Sequence, residues 1–330
     1  MKCIIERLTA VLLAAILLTG CGAGHGAQSV SDSSFAASSG EATETMSIED
    51  EATALAASPS AVPLSITPEA SGTLVQKTDK AVIDYSNTAD GYIMVKYTGS
   101  TTVKLKAQVT GPSAVTYTYD LTAGKWAVFS LSDGSGSYKA TVFQNVSGTK
   151  YATVTSVTFP VSLKNEFAPF LLPNQYVDYS NAAKTVAKAK ELTGKKTETL
   201  DQVQAVYDYV VNNLTYDKEK AAAVKSGYLP VLDTVLSQKK GICFDYAALM
   251  AGMLRSQNIP CKLVVGYAGA AYHAWINVYS EETGWVNGAI YFDGISWKLM
   301  DPTFASSGKQ SKEIMSYIGD GSHYTAKYIY

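Results

Sequence analysis

Three side chains of the sequence could together carry out nucleophilic chemistry: Cys243, His273 and Asp301. Cys243 follows a glycine and precedes the apolar run FDYAALMAGML, so it is predicted to stand at the N-terminus of a helix. Helix N-termini favour anions, and a thiol becomes a strong nucleophile when an imidazole accepts its proton. Asp301 ends a predicted strand and could orient one ring nitrogen of His273, leaving the other nitrogen to face the thiol. These residue types could serve as a nucleophile, a base and a group that orients the base.

Each of these residues also has a purely structural interpretation. An unpaired cysteine is often a small buried hydrophobe, a strand histidine is often half-buried, and an aspartate before proline often forms a turn. A disulfide between Cys243 and Cys261 is disfavoured, because the two ends of the predicted helix lie about 27 Å apart at 1.5 Å per residue. His323 is interpreted as an exposed loop residue. Asp293, in Phe-Asp-Gly, is interpreted as a hairpin turn, although it is a rival to orient His273.

The segments that carry these residues predict an α+β domain over residues 165–330. Helices are predicted over 180–192 with Ser180 as the N-cap, over 200–213, near 231–237 and over 243–257. The segments CKLVVGY, YHAWINVY, AIYFDG and SWKLMDP follow as strands. Helices followed by an antiparallel run of strands are typical of an α+β fold.

Residues 72–164 show a different pattern, with polar and apolar residues alternating at period two. The segments KAVIDY, GYIMVKY, VKLKAQV, VTYTYDL, KWAVFSL, SYKATVF and YATVTSVTF are separated by turn sequences at a spacing of close to ten residues. About seven short strands of this kind predict an immunoglobulin-like β-sandwich. The segment contains no cluster of titratable residues, so the chemistry is expected in the domain that follows it.

The N-terminus has the features of a secretory signal over residues 1–20. Lys2 and Arg7 precede the apolar run LTAVLLAAILL, which is too short to span a bilayer. The sequence Leu-Thr-Gly-Cys at residues 18–21 resembles the lipobox of bacterial lipoproteins. That resemblance implies lipidation of Cys21, cleavage before it and an extracytoplasmic protein anchored to the cell membrane, with a plain cleaved signal as the alternative.

Residues 21–71 are predicted to form a disordered acidic tether. Between residues 22 and 71 there are seven acidic residues and neither Lys nor Arg, and almost no aromatic residues. Such a composition cannot bury enough apolar surface to order the chain. The expected arrangement is therefore a folded domain held away from a membrane by a flexible segment.

The blocks GICFDYA, NIPCKLVVGY, YHAWINVY and SWKLMDPTF resemble the transglutaminase-like superfamily of papain-fold thiol enzymes over about residues 199–305. The resemblance implies a catalytic triad in which Cys243 is the nucleophile, His273 the base and Asp301 the orienting acid. The backbone N–H of Cys243 is one expected donor to the oxyanion, and Tyr216 or Gln238 is a candidate for the second. Asn-Ile-Pro at residues 258–260 replaces the common Gly-Ile-Pro, which a left-handed asparagine permits.

The resemblance implies attack on a peptide or side-chain amide through a thioester at Cys243. Hydrolysis of a protein substrate or a peptide such as a cell-wall peptide is the expected outcome. The alternatives are amine transfer that cross-links proteins, and a non-catalytic cell-surface binding module. With 27 Lys and Arg against 29 Asp and Glu, the net charge of −2 gives no indication of nucleic-acid binding. No cofactor is expected, and no metal site, because the sequence lacks paired Cys or His ligands.

Overall fold

The computed structural model describes residues 67–286, 288 and 290–330. The predicted signal sequence, Cys21 and the tether up to residue 66 lie outside the described residues. At the end of the predicted tether, Glu69 is already bonded to the first sheet, because its backbone N–H lies 3.2 Å from the hydroxyl of Tyr92. Within the described ranges, no helix is long and apolar enough to cross a membrane.

The N-terminal half of the described chain consists of strands. They are β1 (Val75–Lys77), β2 (Ala81–Asp84), β3 (Tyr92–Tyr97), β4 (Leu105–Thr110), β5 (Thr116–Leu121), β6 (Trp126–Ser130), β7 (Gly136–Ser147) and β8 (Lys150–Val161), with a 3-10 turn at Thr88–Asp90. They form two antiparallel sheets with the orders β1-β2-β3-β6 and β5-β4-β7-β8. The seven segments predicted from alternation are β2 to β8, so those strands are confirmed, whereas β1 was not predicted.

Alternation explains how these strands bury one face. In β5 the odd-numbered residues Tyr117, Tyr119 and Leu121 are buried, and the threonines and aspartate between them are exposed. The neighbouring β4 shows the same pattern, with Leu105 and Val109 buried. Because successive strand side chains point to opposite faces, each strand contributes every second residue to the core.

The C-terminal half of the described chain combines helices and strands. Its helices are α1 (Ala183–Thr193), α2 (Thr199–Asn213), α3 (Lys218–Ala223), α4 (Leu232–Gln238), α5 (Cys243–Arg255), α6 (Pro302–Ser307) and α7 (Lys312–Asp320), after a 3-10 turn at Ala168–Phe170. Its strands are β9 (Thr215–Tyr216), β10 (Lys240–Gly241), β11 (Cys261–Ala268), β12 (Ala271–Val278), β13 (Thr283–Val286), β14 (Ile290–Asp293), β15 (Lys298–Met300) and β16 (Tyr324–Ile329). The predicted helices correspond to α1, α2, α4 and α5, and the predicted strands to β11, β12, β14 and β15.

A four-stranded antiparallel sheet and one central helix position the predicted site. The strand order is β15-β12-β11-β16, and α5 packs on β11 and β12 while contacting α1, α2, α4 and α6. Every residue of α5 from Asp245 to Arg255 is buried. A helix that is apolar around its whole circumference must be surrounded in this way. The α+β prediction is confirmed for this half of the chain.

Two local predictions were wrong. Ser180 does not cap the first helix, because α1 begins at Ala183 and the Ser180 hydroxyl bonds Asp178 instead, at 2.7 Å. The carboxylate of Asp233 on α4 accepts the N–H groups of Lys184 and Thr185, so the cap comes from another helix. A turn does follow Asp293, whose carboxylate accepts the N–H groups of Ile295 and Ser296, but it does not close the predicted hairpin, because β14 pairs with β13 and β15 pairs with β12.

Tyrosines join the two halves of the described chain. The rings of Tyr119 and Tyr176 lie 5.7 Å apart, and the ring of Tyr330 lies 4.1 Å from that of Tyr176 and 5.5 Å from that of Tyr117. Tyr117 also contacts Tyr328 on β16, at 5.7 Å between ring centroids. Aromatic side chains provide a large apolar contact area, so this cluster fixes β5 against the C-terminal sheet.

Candidate active site

Cys243 is the first residue of α5, and its side chain is half-buried. Two neighbours fix the start of this helix. Asp245 accepts a hydrogen bond from the backbone N–H of Ile242 at 2.8 Å. Gly241 leaves room for that carboxylate, since a Cβ at Gly241 would stand 2.6 Å from the Cβ of Asp245. The sequence GICFD therefore folds into a helix start that presents a thiol at its first position.

The carboxylate of Asp245 is fully buried and is neutralised from a second segment. Lys220 of α3 places its Nζ 2.6 Å from Oδ2 of Asp245, and the hydroxyl of Tyr228 donates to Oδ1 at 2.5 Å. Lys220 also lies 2.5 Å from the Tyr228 hydroxyl. A buried carboxylate is tolerated when it is paired and hydrogen-bonded in this manner. This network ties the start of α5 to α3 and to the loop that follows α3.

His273 lies in β12, and its side chain is 6% exposed. Its Nε2 is 2.7 Å from Oδ2 of Asp301, and a carboxylate can only accept, so Nε2 carries a proton. Burial by itself lowers the pKa of His273, but the Asp301 carboxylate and the nearby Cys243 thiol outweigh burial, and the net pKa is raised. Because Nε2 is bonded to Asp301, the nitrogen that faces Cys243 is Nδ1.

Asp301 is fully buried directly after β15, where it serves as the N-cap of α6. Its Oδ1 accepts the backbone N–H groups of Thr303 at 3.1 Å and Phe304 at 3.0 Å. The pairing of β15 with β12 matches Met300 with Ile276, which brings the end of β15 beside the histidine strand. The Asp-Pro sequence thus begins a helix and turns the acid towards His273.

The candidate oxyanion donors and the rival residues lie in different places. Tyr216 in β9 pairs with Gly241, and its pKa is raised first by burial and then by the charge of Cys243, so it lies near the thiol. Gln238 is exposed at the end of α4 and makes no hydrogen bond or ring contact with the triad residues among the described ones. Asp293 bonds Ser296 and Lys298 rather than His273, and His323 is exposed in a turn before β16.

The second thiol of the folded region has a different environment. Cys243 and Cys261 are both free, so the alternative of a disulfide between them is excluded in this structure. Cys261 is completely buried at the start of β11, and burial raises its pKa to about 12. Since only the thiolate is strongly nucleophilic, Cys261 is an unreactive internal reference for Cys243.

Three neighbours of the site were not predicted from the sequence. The ring of Phe304 stacks on His273 with a centroid distance of 4.6 Å, and Asp245 orders the helix start. Both residues lie within motifs already singled out, so their spacing from Cys243 and Asp301 was an available signal. Tyr324 donates a hydrogen bond to Asp301 from β16, and nothing in the local sequence indicated that contact.

Comparison with known proteins adds a family assignment to this geometry. Residues 186–288 match the family model of the transglutaminase-like superfamily. A Bacillus subtilis protein, YebA, is 31% identical over 117 residues, which is 30% of this chain and 16% of YebA. A protein-glutamine gamma-glutamyltransferase of Pseudomonas aeruginosa is 30% identical over 69 residues, 17% of this chain and 10% of that protein. The chain therefore spans only a small part of these relatives.

Among solved structures, the periplasmic domain of TgpA from Pseudomonas aeruginosa bound to ethylmercury is 16% identical, with a TM-score of 0.32, over 72% of this chain and 77% of that one. The family match includes Cys243 and His273 and ends before Asp301. The pairing of β15 with β12 brings Asp301 beside His273. Residues 186–288, which contain Cys243 and His273, therefore match a transglutaminase-like domain.

Proposed function

We propose that the protein is a thiol enzyme that attacks a peptide or side-chain amide through Cys243. The observation that carries this proposal is the hydrogen bond of 2.7 Å between Nε2 of His273 and Oδ2 of Asp301, which leaves the other ring nitrogen, Nδ1, for the thiol at a helix N-terminus. A nucleophile, a base and a group that orients the base are the three parts that acyl transfer requires.

In the first half-reaction, the Cys243 thiolate attacks the carbonyl carbon of the amide and its oxygen becomes an oxyanion. The N–H of Cys243 stands at the first position of α5, where no preceding turn supplies an acceptor, and Tyr216 lies near the thiol as the second candidate donor. Collapse of the tetrahedral intermediate breaks the C–N bond. The leaving amine takes the proton from Nδ1 of His273, and a thioester remains on Cys243.

In the second half-reaction, His273 accepts a proton from the incoming nucleophile, which attacks the thioester carbonyl and releases the Cys243 thiolate. Water as the nucleophile gives a carboxylic acid, and a primary amine gives a new amide bond. Hydrolysis is our proposal, because water needs no second binding site. Asp301 stays bonded to Nε2 throughout and keeps the ring oriented as His273 gains and loses its proton.

Alkylation of the two thiols tests the proposed nucleophile. Iodoacetamide near neutral pH is expected to modify Cys243 much faster than Cys261, because Cys261 is buried and its pKa is raised to about 12. His273→Ala is expected to slow modification of Cys243 and to leave Cys261 protected. If Cys243 reacts no faster than Cys261 and is insensitive to His273→Ala, the proposed thiol enzyme is contradicted and the alternative of a binding module is favoured.

A library of peptide amides distinguishes the two acyl-transfer outcomes. Intact-mass spectrometry is expected to reveal an acyl adduct on the wild-type protein and none on Cys243→Ala. Adding a fluorescent primary amine in the same assay separates the nucleophiles. Product acids with no labelled product support hydrolysis, whereas a labelled peptide supports amine transfer. The cross-linking alternative is thereby decided by product analysis.

We further propose an immunoglobulin-like sandwich over residues 72–164. Support comes from the strand orders β2-β3-β6 and β5-β4-β7-β8, since that fold places strands A, B and E in one sheet and C, F and G in the other. In this assignment β4, β7 and β8 are C, F and G, and β5 is an added strand beside C. Interstrand nuclear Overhauser contacts between β3 and β6 and between β4 and β7 test the order.

We also propose that the protein is anchored outside the cytoplasm by lipid on Cys21. The support is the sequence Leu-Thr-Gly-Cys after an apolar run and the acidic composition of residues 22–71. Metabolic labelling with an alkynyl fatty acid is expected to mark the full-length protein in the membrane fraction. Cys21→Ala is expected to lose the label, and a wild-type protein without label would contradict the anchor.

A further inference from the structure

Tyr324 contacts the proposed triad from a strand outside the region of family similarity. Its hydroxyl donates a hydrogen bond of 2.8 Å to Oδ2 of Asp301. The same oxygen lies 2.7 Å from Nε2 of His273. One carboxylate oxygen is therefore shared between the imidazole and a phenol that arrives on β16, the strand at the other edge of the sheet from β15.

The carboxylate of Asp301 accepts four hydrogen bonds from described residues, two on each oxygen. Oδ1 accepts the backbone N–H groups of Thr303 and Phe304, which fixes the plane of the carboxylate at the start of α6. Oδ2 accepts from His273 and Tyr324. Because Asp301 has no exposed surface, a missing donor would not be replaced directly by bulk water. Tyr324 thus supplies half of the bonds to the oxygen that orients the histidine.

The position of Tyr324 is fixed by its own neighbours. Its ring meets Trp275 edge to face with centroids 5.1 Å apart, and Tyr317 of α7 lies 5.9 Å away. Strand β16 comes close to β11 at Gly266, where a Cβ would stand 2.0 Å from the carbonyl oxygen of Thr325. Only glycine at position 266 permits this approach without displacing the strand.

We propose that Tyr324 is a positioning residue of the acyl-transfer site, which sets the direction and the charge of the Asp301 oxygen that holds His273. The proposal rests on the proposed function, in which His273 must keep Nδ1 towards Cys243 while its protonation changes. With the hydroxyl present, Oδ2 has two fixed donors, in addition to the two backbone N–H groups that hold Oδ1. Without the hydroxyl, the His273 contact alone holds that oxygen.

The sign of the effect on His273 follows from the groups that surround it. Among the described residues, the titratable groups that act on the imidazole are Cys243 of α5 and Asp301, and the phenols of Tyr207, Tyr317 and Tyr324 lie around Asp301. A hydrogen bond from a phenol withdraws negative charge from Oδ2. Removing that bond leaves more charge opposite the imidazolium, so the protonated form of the histidine becomes more favourable.

Tyr324→Phe tests the proposal, with Tyr317→Phe as the matched control, because Tyr317 belongs to the same ring cluster but makes no hydrogen bond to Asp301 in the described part of the chain. The titration of His273 is measured from the nuclear magnetic resonance signals of its ring. The rate at which iodoacetamide alkylates Cys243 is measured against pH, and the alkaline part of that profile is compared. Tyr324→Phe is expected to move both to higher pH by about half a unit to one unit. Tyr317→Phe is expected to leave both unchanged.

Two results overturn the role of Tyr324 while leaving the proposed function intact. One is that the pH profiles of Tyr324→Phe and the wild type superimpose. The other is that Tyr317→Phe shifts the profiles equally, which would assign the effect to ring packing. A wild-type Cys243 whose alkylation ignores His273→Ala overturns the proposed function, and this proposal with it. Protection of Cys261 from alkylation reports that each variant is folded. If Tyr324→Phe does not fold, the wild type is used, and a slowly exchanging Tyr324 hydroxyl proton close to the His273 ring is expected; its absence overturns the proposal.

Discussion

The buried carboxylate of Asp245 offers the sharpest test of how the reactive thiol is positioned. It is completely buried at the first turn of α5 and receives hydrogen bonds from Ile242, Lys220 and Tyr228. Asp245→Asn preserves the size of the side chain and keeps one oxygen for the Ile242 N–H. That oxygen, Oδ2 in the wild type, also faces the Lys220 ammonium but becomes neutral, so the charge of Lys220 loses its partner, and the amide NH2 takes the place of Oδ1 beside the Tyr228 hydroxyl.

The magnitude follows from burial and from the exposure of the partner. Removing one member of a buried ion pair typically costs about 3–5 kcal/mol of unfolding free energy. Lys220 retains 27% of its side-chain exposure and can turn partly towards water, so we expect the lower end, about 3 kcal/mol. Lys220→Met should lower the unfolding free energy by a comparable amount. The variant with both substitutions should lose less than the sum of the two single losses, by about 2 kcal/mol.

Urea denaturation measures these differences if the C-terminal half is observed separately from the N-terminal sheets. Cys261 provides that probe, because its thiol is buried in the native state and reacts when β11 is exposed. Pulse alkylation of Cys261 along the urea gradient therefore reports the unfolding of the domain that contains α5. A global circular dichroism signal would mix the two halves, and a single transition could not be assumed.

The reasoning would be refuted if the unfolding free energy of Asp245→Asn lay within about 0.5 kcal/mol of the wild-type value, because ordinary surface substitutions change stability by that amount. It would equally be refuted by single-variant losses that add fully in the double variant, since additivity means that Asp245 and Lys220 do not interact. In the expected case, alkylation of Cys243 also slows, because the helix start that presents the thiol becomes loose.

Three further predictions concern the helix cap, the approach to the thiol and pH. Asp233→Ala should lower the unfolding free energy by about 1–2 kcal/mol because α1 loses its cap, whereas Ser180→Ala should change it by no more than about 0.5 kcal/mol. Urea denaturation measures both changes. Gly241→Ala should cost about 1–3 kcal/mol by overpacking, and mass spectrometry should detect slower alkylation of Cys243. Burial lowers the pKa of His273, but Asp301 and Cys243 outweigh it and the net pKa in the folded protein is raised. Stability measured by urea denaturation should therefore fall as pH rises above about 6.5, and His273→Asn should remove this pH dependence, whereas a flat wild-type profile would contradict the ion pair.

The sequence alone determined the elements whose signal is local. Period-two alternation identified β2 to β8, and apolar periodicity identified α1, α2, α4 and α5, because burial of one face leaves a pattern within a few residues. The left-handed conformation expected of Asn258 is present, with φ of 63°. The spacing of Cys243, His273 and Asp301 in recognisable blocks also indicated a thiol site, although it gave no distances.

Only the tertiary structure decided how distant segments complete the site. The bond from Tyr324 to Asp301 joins residues 23 positions apart, the bond from Lys220 to Asp245 joins residues 25 apart, and Asp233 caps a helix 48 residues earlier. None of these contacts has a periodic signature, because each depends on which strands and helices become neighbours. Strand order is fixed by the packing of the whole core, so the partners of a buried carboxylate become visible only when the chain is folded.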